Sequence, residues 1–439
     1  MERRNFLKAT SVTALTAPNF VSGRNLNSTL QMASVGTEAK GWSDTIMMST
    51  HEKAKHVAFC DVDLARTDKA RDLQSDAPVF QDYREMFSKM EGKIDAVTVS
   101  TPDHMHAHIS MAAMRQGIHV HCQKPLTHTV WEARQMAILA KKTGVITRMG
   151  NQIHSHKYYR TGVRLIQDGT IGKIKAVHSW VNATGHGKSG HNMPPPSAPV
   201  PKNLDWNIWI GGAPMRPYCP GRVYHPWGWR DWQDFGNGAL GDFGCHILDP
   251  VFTALKIKQP PSTLVCTDHT GMNDHTWPAQ CTVSYTFPGN QYAAGKTLPI
   301  TWYDGGRRPS TRGTHIPSTT RIPSSGSIFH GTEGTMVLPH VGAPTLYPEA
   351  NYPDKIQFEK NLDHYHGFID GCISGKQPSD GFDYAGPLTE AVLLGNIAVR
   401  HRDQKLTWDA KAMKLTAPGM DVSQYLTRNY RDGWSLCPA

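Results

Sequence analysis

The residues best suited to chemistry lie in one stretch, VYHPWGWRDWQDFGNGALGDFGCHILDP, which runs from Val223 to Pro250. Within it, Asp242 and His246 are four residues apart, a spacing that puts two side chains on one face of a helix. A carboxylate beside an imidazole orients the ring and raises its basicity, as general acid–base catalysis requires. We therefore interpret Asp242 and His246 as candidate catalytic residues.

Aromatic side chains precede this pair in the same stretch. The candidates for contact with a substrate are His225, Trp227, Trp229 and Trp232. Flat aromatic faces pack against the axial C–H groups of a pyranose ring, so these residues predict a carbohydrate ligand. Packing of the tryptophans in a hydrophobic core is the alternative that the sequence leaves open.

Strand and helix patterns alternate along the chain before residue 151. These elements must position the stretch from Val223 to Pro250. LQMASVG, KHVAFCDVD, IDAVTVSTP, HVHCQKP and VITRMGNQ have the character of buried strands, and helical segments lie between them. This alternation predicts βαβ units, in which a parallel sheet carries helices on both faces. We expect an α/β fold whose first domain, over residues 24–150, binds a dinucleotide.

In such a sheet the cofactor lies across the carboxyl ends of the strands. Gly36, Thr37 and Gly41 follow the first strand, in a turn that would admit a pyrophosphate at a helix N-terminus. Asp61 follows the second strand, where a carboxylate binds ribose hydroxyls and repels the 2′-phosphate of NADP, so NAD is the predicted cofactor. The other candidate cofactor ligands follow later strands: Ser100, Thr101, Pro102, His104, His106, Gln123, Lys124, Asn151 and Gln152. Glu38 stands where a glycine is usual in this type of loop.

These motifs, together with STPDHMHAH, QKP, GNQ and GDFGCHILD, resemble those of the Gfo/Idh/MocA oxidoreductases over nearly the whole chain. The resemblance implies an N-terminal Rossmann domain and, over residues 151–439, an α/β domain with an open, mostly antiparallel sheet that often mediates oligomerisation. It also implies that Lys124 takes part in proton transfer, beside Asp242 and His246. Because Gln123 replaces the usual glutamate, we expect Lys124 to lack an anionic neighbour and to hold its proton less firmly.

Residues 1–23 are interpreted as an export signal. Arg3 and Arg4 precede Phe6, Leu7 and Lys8 and then a short apolar stretch, which is typical of a twin-arginine signal. That stretch is too short to span a bilayer and no later segment is long enough, so stable membrane insertion is not expected. We expect a periplasmic or exported protein that acquires its cofactor before export.

Composition argues against several other classes of function. The net charge of +9 comes from scattered lysines and arginines without a basic run, so nucleic-acid binding is not expected. The eight cysteines show no C-x-x-C spacing, and the histidines are better explained as core or cofactor-lining residues, so no metal site is predicted. A homo-oligomer is the expected assembly, because the resemblance implies it.

The predicted reaction is hydride transfer from a sugar hydroxyl-bearing carbon to NAD. Free NAD is scarce outside the cytoplasm, so we expect the cofactor to be tightly bound and recycled within the site. Two alternatives remain open. One is an NAD-dependent glycosidase, such as the relatives that cleave N-acetylgalactosaminides by oxidation, elimination, hydration and re-reduction. The other is an exported sugar-binding protein whose site is inactive.

Overall fold

The computed structural model describes residues 29–183, 196–353 and 355–439, and the predicted signal segment lies outside them. The strands of the first sheet are β1 (Leu30–Val35), β2 (Ala54–Cys60), β3 (Val79–Phe80), β4 (Ala96–Val99), β5 (His119–Gln123) and β6 (Thr147–Gly150). All neighbouring strands are parallel, in the order β3-β2-β1-β4-β5-β6. This is the strand order of a doubly wound dinucleotide-binding sheet, and the predicted α/β fold is confirmed.

Helices connect these strands: α1 (Lys40–Ser49), α2 (Asp68–Leu73), α3 (Tyr83–Lys89), α4 (Asp103–Arg115) and α5 (Val130–Thr143). The signals that bound α5 are local, since Thr129 and Glu132 form a capping box and Gly144 ends the helix in a left-handed conformation. The sequence pattern predicts one helix from Leu64 to Gln74, but the structure divides this segment. A 3-10 turn at Leu64–Arg66 precedes α2, because the Asp63 side chain accepts the N–H of Ala65 and stabilises a separate turn.

The second sheet is built from β7 (Ile174–Trp180), β8 (Thr263–His269), β9 (Cys281–Pro288), β10 (Thr297–Tyr303), β11 (Gly326–Gly331), β12 (Thr335–Pro339), β13 (Thr345–Tyr347), β14 (Leu406–Asp409), β15 (Lys414–Ala417) and β16 (Met420–Asp421). Its order is β13-β12-β11-β7-β10-β9-β8-β14-β15-β16. Only the pairing of β7 with β10 is parallel among these described strands. The predicted open, mostly antiparallel sheet is therefore confirmed.

The helices of the second half are α6 (Lys157–Gln167), α7 (Trp206–Ile210), α8 (Gly238–Ala254), α9 (His364–Ser374) and α10 (Phe382–Arg400). Helix α7 lies in a Pro/Gly-rich segment, from Gly185 to about Pro220, whose composition predicts a long loop; residues 185–195 of it lie outside the described structure. Asp205 caps this helix by accepting the N–H of Ile208, and Trp206 stacks on Trp209 at 4.5 Å between ring centroids. Aromatic packing therefore orders a segment whose prolines and glycines suggested a loop.

The end of the chain returns to the first domain, where α10 packs on α5 and α9 packs on α1. Arg148 of β6 forms a buried ion pair with Asp380, with 3.0 Å between Nε and the carboxylate. This return packs the second half against helices α1 and α5 and strand β6 of the first domain. None of the described helices combines the length and the apolar character that crossing a bilayer would need.

Candidate active site

A cleft of about 680 Å³ runs along the carboxyl ends of the parallel strands and the first turns of α8. Its volume lies within the range of pockets that hold cofactors, about 300–1,000 Å³. The predicted residues that line it are Gly36, Asp61, Ser100, Thr101, Pro102, Gln123, Lys124, Gln152, His225, Trp227, Trp229, Asp242 and His246. The tertiary structure thus brings most of the candidates for cofactor, substrate and proton transfer into one cavity.

The turn after β1 leaves bare backbone at one end of this cleft. Gly36 has φ +84°, and a Cβ atom there would lie 2.6 Å from the carbonyl oxygen of Ser100. A Cβ atom on Gly41 would lie 2.1 Å from the carbonyl oxygen of Gly36, so α1 can begin against this turn only with glycine at that position. This backbone surface at a helix N-terminus fits the pyrophosphate of a dinucleotide.

Asp61 is held in a fixed orientation beside the glycine turn. One carboxylate oxygen accepts the N–H of Thr37 at 2.9 Å, and the other accepts the N–H of Asp63 at 3.0 Å. Thr37 itself is buried and does not line the cleft, so the structure corrects its predicted role from cofactor contact to support of Asp61. Arg66 lines the cleft near Asp61 and was not among the predicted residues.

Glu38, the unusual residue of the loop, is ion-paired. Its carboxylate lies 2.9 Å from Nζ of Lys69 and accepts the N–H of Ala39 at 3.1 Å. Burial opposes ionisation, but Lys69 and the Ala39 N–H outweigh it and lower the pKa of Glu38. Because the negative charge has a partner, Glu38 is compatible with a pyrophosphate in the adjoining turn.

Lys124 has an anionic partner, so the expectation that it would lack one is wrong. Its ammonium forms an ion pair with the carboxylate of Asp242 and donates to the carbonyl oxygen of the same residue at 2.7 Å. The carboxylate comes from α8, and not from the residue that precedes the lysine in the chain. Gln123 instead donates to Asp44 at 2.8 Å, and this buried carboxylate also accepts the hydroxyl of Ser100 at 2.8 Å.

His246 lies on α8 four residues after Asp242, as predicted, but Asp242 binds Lys124 rather than the imidazole. Nδ1 of His246 is buried and has no hydrogen-bond partner among the described residues. Burial, and then the positive charge of Lys124, lower the pKa of His246 well below its usual value. The ring is therefore neutral near pH 7, and it gains a proton only when a reacting group in the cleft donates one to it.

Asp103 lies in STPDHMHAH, where the resemblance implies residues that line the nicotinamide pocket. It begins α4, lines the cleft and accepts a hydrogen bond from Asn237 at 3.1 Å. Burial, and then the negative charge of Asp242, raise the pKa of Asp103 to about 7. A carboxyl group that titrates near neutrality in a cleft is a recognised feature of functional sites. Its place in STPDHMHAH, directly after a strand end, was the available signal.

His104, His106 and Asn151 lie behind the cleft and do not line it, which corrects their predicted role as cofactor ligands. Nε2 of His104 lies 2.8 Å from the carbonyl oxygen of Trp209, and the ring packs among aromatic residues. The two ring nitrogens of His106 each lie 2.8 Å from a carbonyl oxygen, those of Thr101 and Pro125. Asn151 donates to the carbonyl oxygen of Cys245 at 2.9 Å. These side chains hold the loops that form the cleft.

Among the predicted aromatic residues, only Trp232 is excluded from the cleft. It is fully buried, and its indole N–H donates to the carbonyl oxygen of Val223 at 3.0 Å, so it is a core residue. Trp227 is 41% exposed at the cleft, and the guanidinium of Arg230 lies over the rings of Trp227 and Trp229, at 4.5 and 4.4 Å from their centroids. His225 is fixed by Asp63, whose carboxylate lies 2.9 Å from Nε2.

Histidine, cysteine and acidic side chains form no cluster suited to a metal ion in the parts of the chain that the structure describes. All eight cysteines are free thiols, and six of them are buried. The acidic and basic side chains that line this dinucleotide-sized cleft are carboxylates, the lysines Lys40 and Lys124, the arginines Arg66 and Arg230, and the imidazoles of His225 and His246.

Comparison with known proteins agrees with this geometry. Residues 31–151 match the model of an oxidoreductase family with an NAD-binding Rossmann fold, and residues 172–287 match the C-terminal α/β domain of the same family. The chain is 30% identical over 154 residues to 2,7-anhydro-N-acetylneuraminate hydratase of Mediterraneibacter gnavus, which is 35% of this chain and 40% of the relative. It is 36% identical over 80 residues to 1,5-anhydro-D-fructose reductase of Ensifer adhaerens, or 18% of this chain and 24% of the relative.

The matched segments therefore span less than half the length of these curated relatives. A dehydrogenase of Bordetella pertussis, solved with NADH and UDP-GlcNAcA, superposes with a TM-score of 0.59 at 16% identity, over 87% of this chain and 99% of that one. That likeness extends the shared fold across both sheets. The two matched domains, in this order and with the glycine turn, Asp61 and Lys124 around one cleft, show that the chain belongs to the Gfo/Idh/MocA family of NAD-binding oxidoreductases.

Proposed function

We propose that this protein oxidises a hydroxyl group of a sugar or glycoside by hydride transfer to tightly bound NAD. The observation that carries the proposal is the single cleft that joins the glycine turn and Asp61 to Lys124, Asp242 and His246. When bound, NAD supplies a hydride acceptor at C4 of the nicotinamide ring. The residues of the chain then have to orient the substrate and move one proton.

Lys124 is suited to hold the reacting oxygen. Two of its three N–H donors point at the carboxylate and the carbonyl oxygen of Asp242, which leaves one donor for a substrate hydroxyl. His246 also lines the cleft and is neutral, so its ring can accept the hydroxyl proton, but its lowered pKa makes it a weaker base than an ordinary imidazole. Asp242 keeps the ammonium in place, and the partly exposed Trp227, over whose ring Arg222 and Arg230 lie, offers aromatic surface at the cleft for the sugar ring.

The substrate class is supported by the names of the relatives. An anhydro sugar acid and an anhydro sugar are the compounds named for the two curated relatives, and UDP-GlcNAcA is bound in the dehydrogenase of similar fold. Each is a carbohydrate with several hydroxyl groups. A carbohydrate also suits a cleft that combines tryptophan faces with a few polar side chains.

Recycling of NAD within the site follows from the proposed export. A chain with a twin-arginine signal would act where free NAD is scarce, so the reduced cofactor must be reoxidised in place, by returning its hydride either to the ketone of the same substrate or to the carbonyl group of a second sugar. The hydratase relative supports such a closed cycle, because addition of water changes no net oxidation state. For the same reason an NAD-dependent glycosidase is the second candidate, since its oxidation and re-reduction also cancel.

The proposal is tested on protein purified without added cofactor. We expect native mass spectrometry to find NAD bound to the full chain, and we expect a sugar panel to produce the absorbance of reduced nicotinamide. Aryl glycosides in the same panel separate the candidates, because a glycosidase would release the aryl group without accumulating NADH. Bound NAD with neither response to any sugar or glycoside would favour the inactive sugar-binding alternative, and absence of NAD affinity would refute all three.

The assembly is tested separately. We propose a homo-oligomer formed through the second sheet, and multi-angle light scattering of the purified protein would measure its mass. A mass equal to one chain, 48.7 kDa, at micromolar concentration would refute this part of the proposal without affecting the chemistry.

A further inference from the structure

Asp44 is a buried acidic residue that lies behind the cleft rather than in its lining. It belongs to the second turn of α1, and its side chain has no surface exposed to solvent. Burial of a carboxylate is costly unless hydrogen bonds and an opposite charge compensate it. The partners of Asp44 should therefore explain why the chain keeps a carboxylate at this place.

Four donors from separate parts of the chain fill the carboxylate of Asp44. Oδ2 accepts the hydroxyl of Ser100 at 2.8 Å and the side-chain amide N–H of Gln123 at 2.8 Å. Oδ1 accepts the hydroxyl of Tyr365 at 3.1 Å and the ammonium of Lys40. An ionised carboxylate offers about four lone-pair sites, so these donors occupy the whole group and fix its orientation.

The orientation of the Gln123 amide follows from this contact. A carboxylate paired with an ammonium only accepts hydrogen bonds, so the amide nitrogen must face Asp44 and the amide oxygen must point elsewhere. Strand β6 leaves room for this arrangement, since a Cβ atom on Gly150 would lie 2.2 Å from Nε2 of Gln123. Oε1 receives no hydrogen bond from the part of the chain that the structure describes and is not enclosed, so it faces the cleft.

Ser100 is oriented by the same carboxylate. Its single O–H group is donated to Asp44, so its oxygen acts only as an acceptor toward the cleft that it lines. Ser100 directly follows β4 and Gln123 ends the neighbouring strand β5. Asp44 therefore gives this part of the cleft a surface of acceptor oxygens, although a serine and a glutamine could each have presented a donor.

These two acceptors lie between the glycine turn and the proposed reacting lysine. A Cβ atom on Gly41 would lie 3.4 Å from Cβ of Ser100, so Ser100 adjoins the turn that fits a pyrophosphate, and Gln123 directly precedes Lys124. In NAD, the sugar between the pyrophosphate and the nicotinamide is a ribose, whose hydroxyl groups are hydrogen-bond donors. A surface of acceptors at this point of the cleft therefore suits that ribose.

We propose that Asp44 is a positioning residue of the NAD site. Because it takes the donors of Ser100 and Gln123, it leaves acceptor oxygens for the hydroxyl groups of the nicotinamide ribose. Tyr365 extends this arrangement to the second half of the chain, since it comes from α9, donates to Asp44 and lies 2.9 Å from Nζ of Lys40. The inference rests on the NAD binding that the proposed function requires, and it does not depend on the identity of the sugar.

This arrangement also explains the amide at position 123, where the family usually has a glutamate. A second carboxylate 2.8 Å from that of Asp44 could not ionise together with it, because like charges in contact raise the pKa of one of the two groups. An amide keeps the acceptor toward the cleft and supplies the donor toward Asp44 without a group that titrates. Residues 44 and 123 are therefore expected to function as a pair.

The first test is fluorescence titration of the full chain with NAD. In Asp44→Asn, an amide at position 44 would face the amide of Gln123, which would then turn its N–H groups toward the cleft. We expect NAD to bind about tenfold more weakly, as for a hydrogen-bonding group left without its partner. Asp370→Asn is the matched control, because Asp370 lies exposed on α9, pairs with His51 and does not line the cleft. It should leave the dissociation constant unchanged.

Gln123→Glu places two carboxyl groups in contact, so its NAD affinity should depend on pH. At about pH 5.5 the pair shares a proton and imitates the original amide, so affinity should stay within about threefold of that of the parent. At about pH 8.5 both groups are ionised and repel each other, so affinity should fall by at least about tenfold. Gln116→Glu is the control, since it makes the same change at an exposed position.

The ratio of variant to parent affinity at each pH isolates the new carboxyl group. The other titratable groups that face Asp44 are Lys40 on its own helix, Tyr365 on α9 and His121 on β5. Burial opposes the charge of Lys40, but Asp44 raises its pKa above the usual value, and burial raises the pKa of Tyr365. Burial lowers the pKa of His121 to about 4. These three groups therefore keep their charge states across the range, and the contribution of Asp103 cancels in the ratio.

The double variant that combines Asp44→Asn with Gln123→Glu exchanges the two groups and keeps one carboxyl group and one amide. The amide at position 44 would donate to the carboxylate at position 123, whose other oxygen would face the cleft. We expect NAD affinity to recover to within about threefold of that of the parent and to lose its pH dependence, a coupling that independent sites do not show. A purely structural role of Asp44 would not be rescued by a change at position 123.

Equal NAD affinity in Asp44→Asn and the parent would overturn the inference, as would a Gln123→Glu variant whose affinity ratio stays constant with pH. If Asp44→Asn does not fold, the double variant still decides, because binding as weak as that of Gln123→Glu at about pH 8.5 would mean that the two residues act separately. Absence of NAD binding by the parent would refute the proposed function together with this inference. NAD binding by the parent that these variants do not alter would refute this inference alone.

Discussion

Lys124 contacts Asp242 twice, through the carboxylate and through the backbone carbonyl oxygen, which lies 2.7 Å from Nζ. One residue directly follows a strand of the nucleotide-binding sheet and the other lies in the first turns of α8, so this pair joins the two halves of the chain at the cleft. The direction of the ammonium is thereby fixed before any substrate binds. In the proposed mechanism, the carboxylate of Asp242 therefore takes the place of the glutamate that usually precedes the lysine.

Replacement of Lys124 by Met should remove the proposed donor to the substrate oxygen while leaving the glycine turn and Asp61 unchanged. We expect turnover to fall by about 10²–10⁴-fold, the usual contribution of a positioned acid–base group. The fraction of chains with bound NAD, measured by native mass spectrometry, should stay constant. Lys89→Met is the control, because that lysine is exposed and pairs with Glu85 on its own helix. Undiminished turnover in Lys124→Met would remove this residue from the mechanism.

Replacement of Asp61 by Ala should weaken the preference for NAD over NADP. The carboxylate lies where it would bind ribose hydroxyls, and Arg66 lines the same end of the cleft and could receive a 2′-phosphate. We expect NAD affinity to fall about tenfold, as for one hydrogen bond to a charged group, and NADP affinity to rise. Fluorescence titration with both nucleotides measures the ratio. Asp68→Ala, in the exposed first turn of α2, should leave it unchanged.

Replacement of Asp103 by Asn should stabilise the protein in a pH-dependent manner. The folded chain raises the pKa of Asp103 to about 7, from an ordinary value of 3.8, so it binds this proton more tightly than the unfolded chain does. The stability that the protonated group contributes is complete below about pH 4 and is lost as the pH rises through about 7. An asparagine side chain cannot ionise and can still accept the hydrogen bond from Asn237.

Thermal unfolding measured from about pH 5 to about pH 8.5 tests this expectation, since that range spans the titration of the folded-state carboxyl group. The melting temperature of the Asp103→Asn variant should exceed that of the parent, and the difference should grow as the pH rises. Expressed as free energy of unfolding, the difference should reach a few kcal/mol, since one pKa unit corresponds to about 1.4 kcal/mol. Asp72→Asn is the matched control, since Asp72 is exposed on α2. A margin that is constant across the pH range would mean that Asp103 is ionised throughout.

Two tryptophans from the same stretch should respond in opposite ways to replacement by Ala. Trp232 is fully buried, so its loss should lower the free energy of unfolding by about 3–5 kcal/mol. Trp227 is 41% exposed at the cleft, so its loss should leave stability nearly unchanged and raise KM for the sugar about five- to tenfold. Chemical denaturation and steady-state kinetics on both variants make the comparison. A KM unaffected in Trp227→Ala would exclude this ring from the substrate site.

Local signals in the sequence were sufficient for much of the fold. The alternation of apolar strands with helical segments predicted the parallel sheet, and the positions of Gly36, Asp61 and Lys124 at strand ends predicted a shared edge. These predictions succeeded because parallel strands place their carboxyl ends together whatever the intervening loops do. The second sheet was predicted from the resemblance to the family, because no comparable rule gives the order of the strands in a mostly antiparallel sheet.

Other features depended on contacts between distant parts of the chain. The sequence could not distinguish Trp227 from Trp232, since they are identical side chains in one short stretch and only packing against Tyr224 and Val223 buries one of them. Nor could it show that the carboxylate of Asp242 pairs with Lys124 rather than with His246, because 118 residues separate Lys124 from Asp242 and only the packing of α8 against the parallel sheet brings them together.

The sequence by itself determined the class of chemistry: a dinucleotide turn, an acid after the second strand, and a lysine and a histidine at strand and helix ends. Only the tertiary structure decided which charges are paired, which rings face the cleft and which carboxyl group titrates near neutrality. The physical reason is that residue type and periodicity fix local conformation, whereas burial and electrostatic partners are set by segments that meet only when the two sheets pack together.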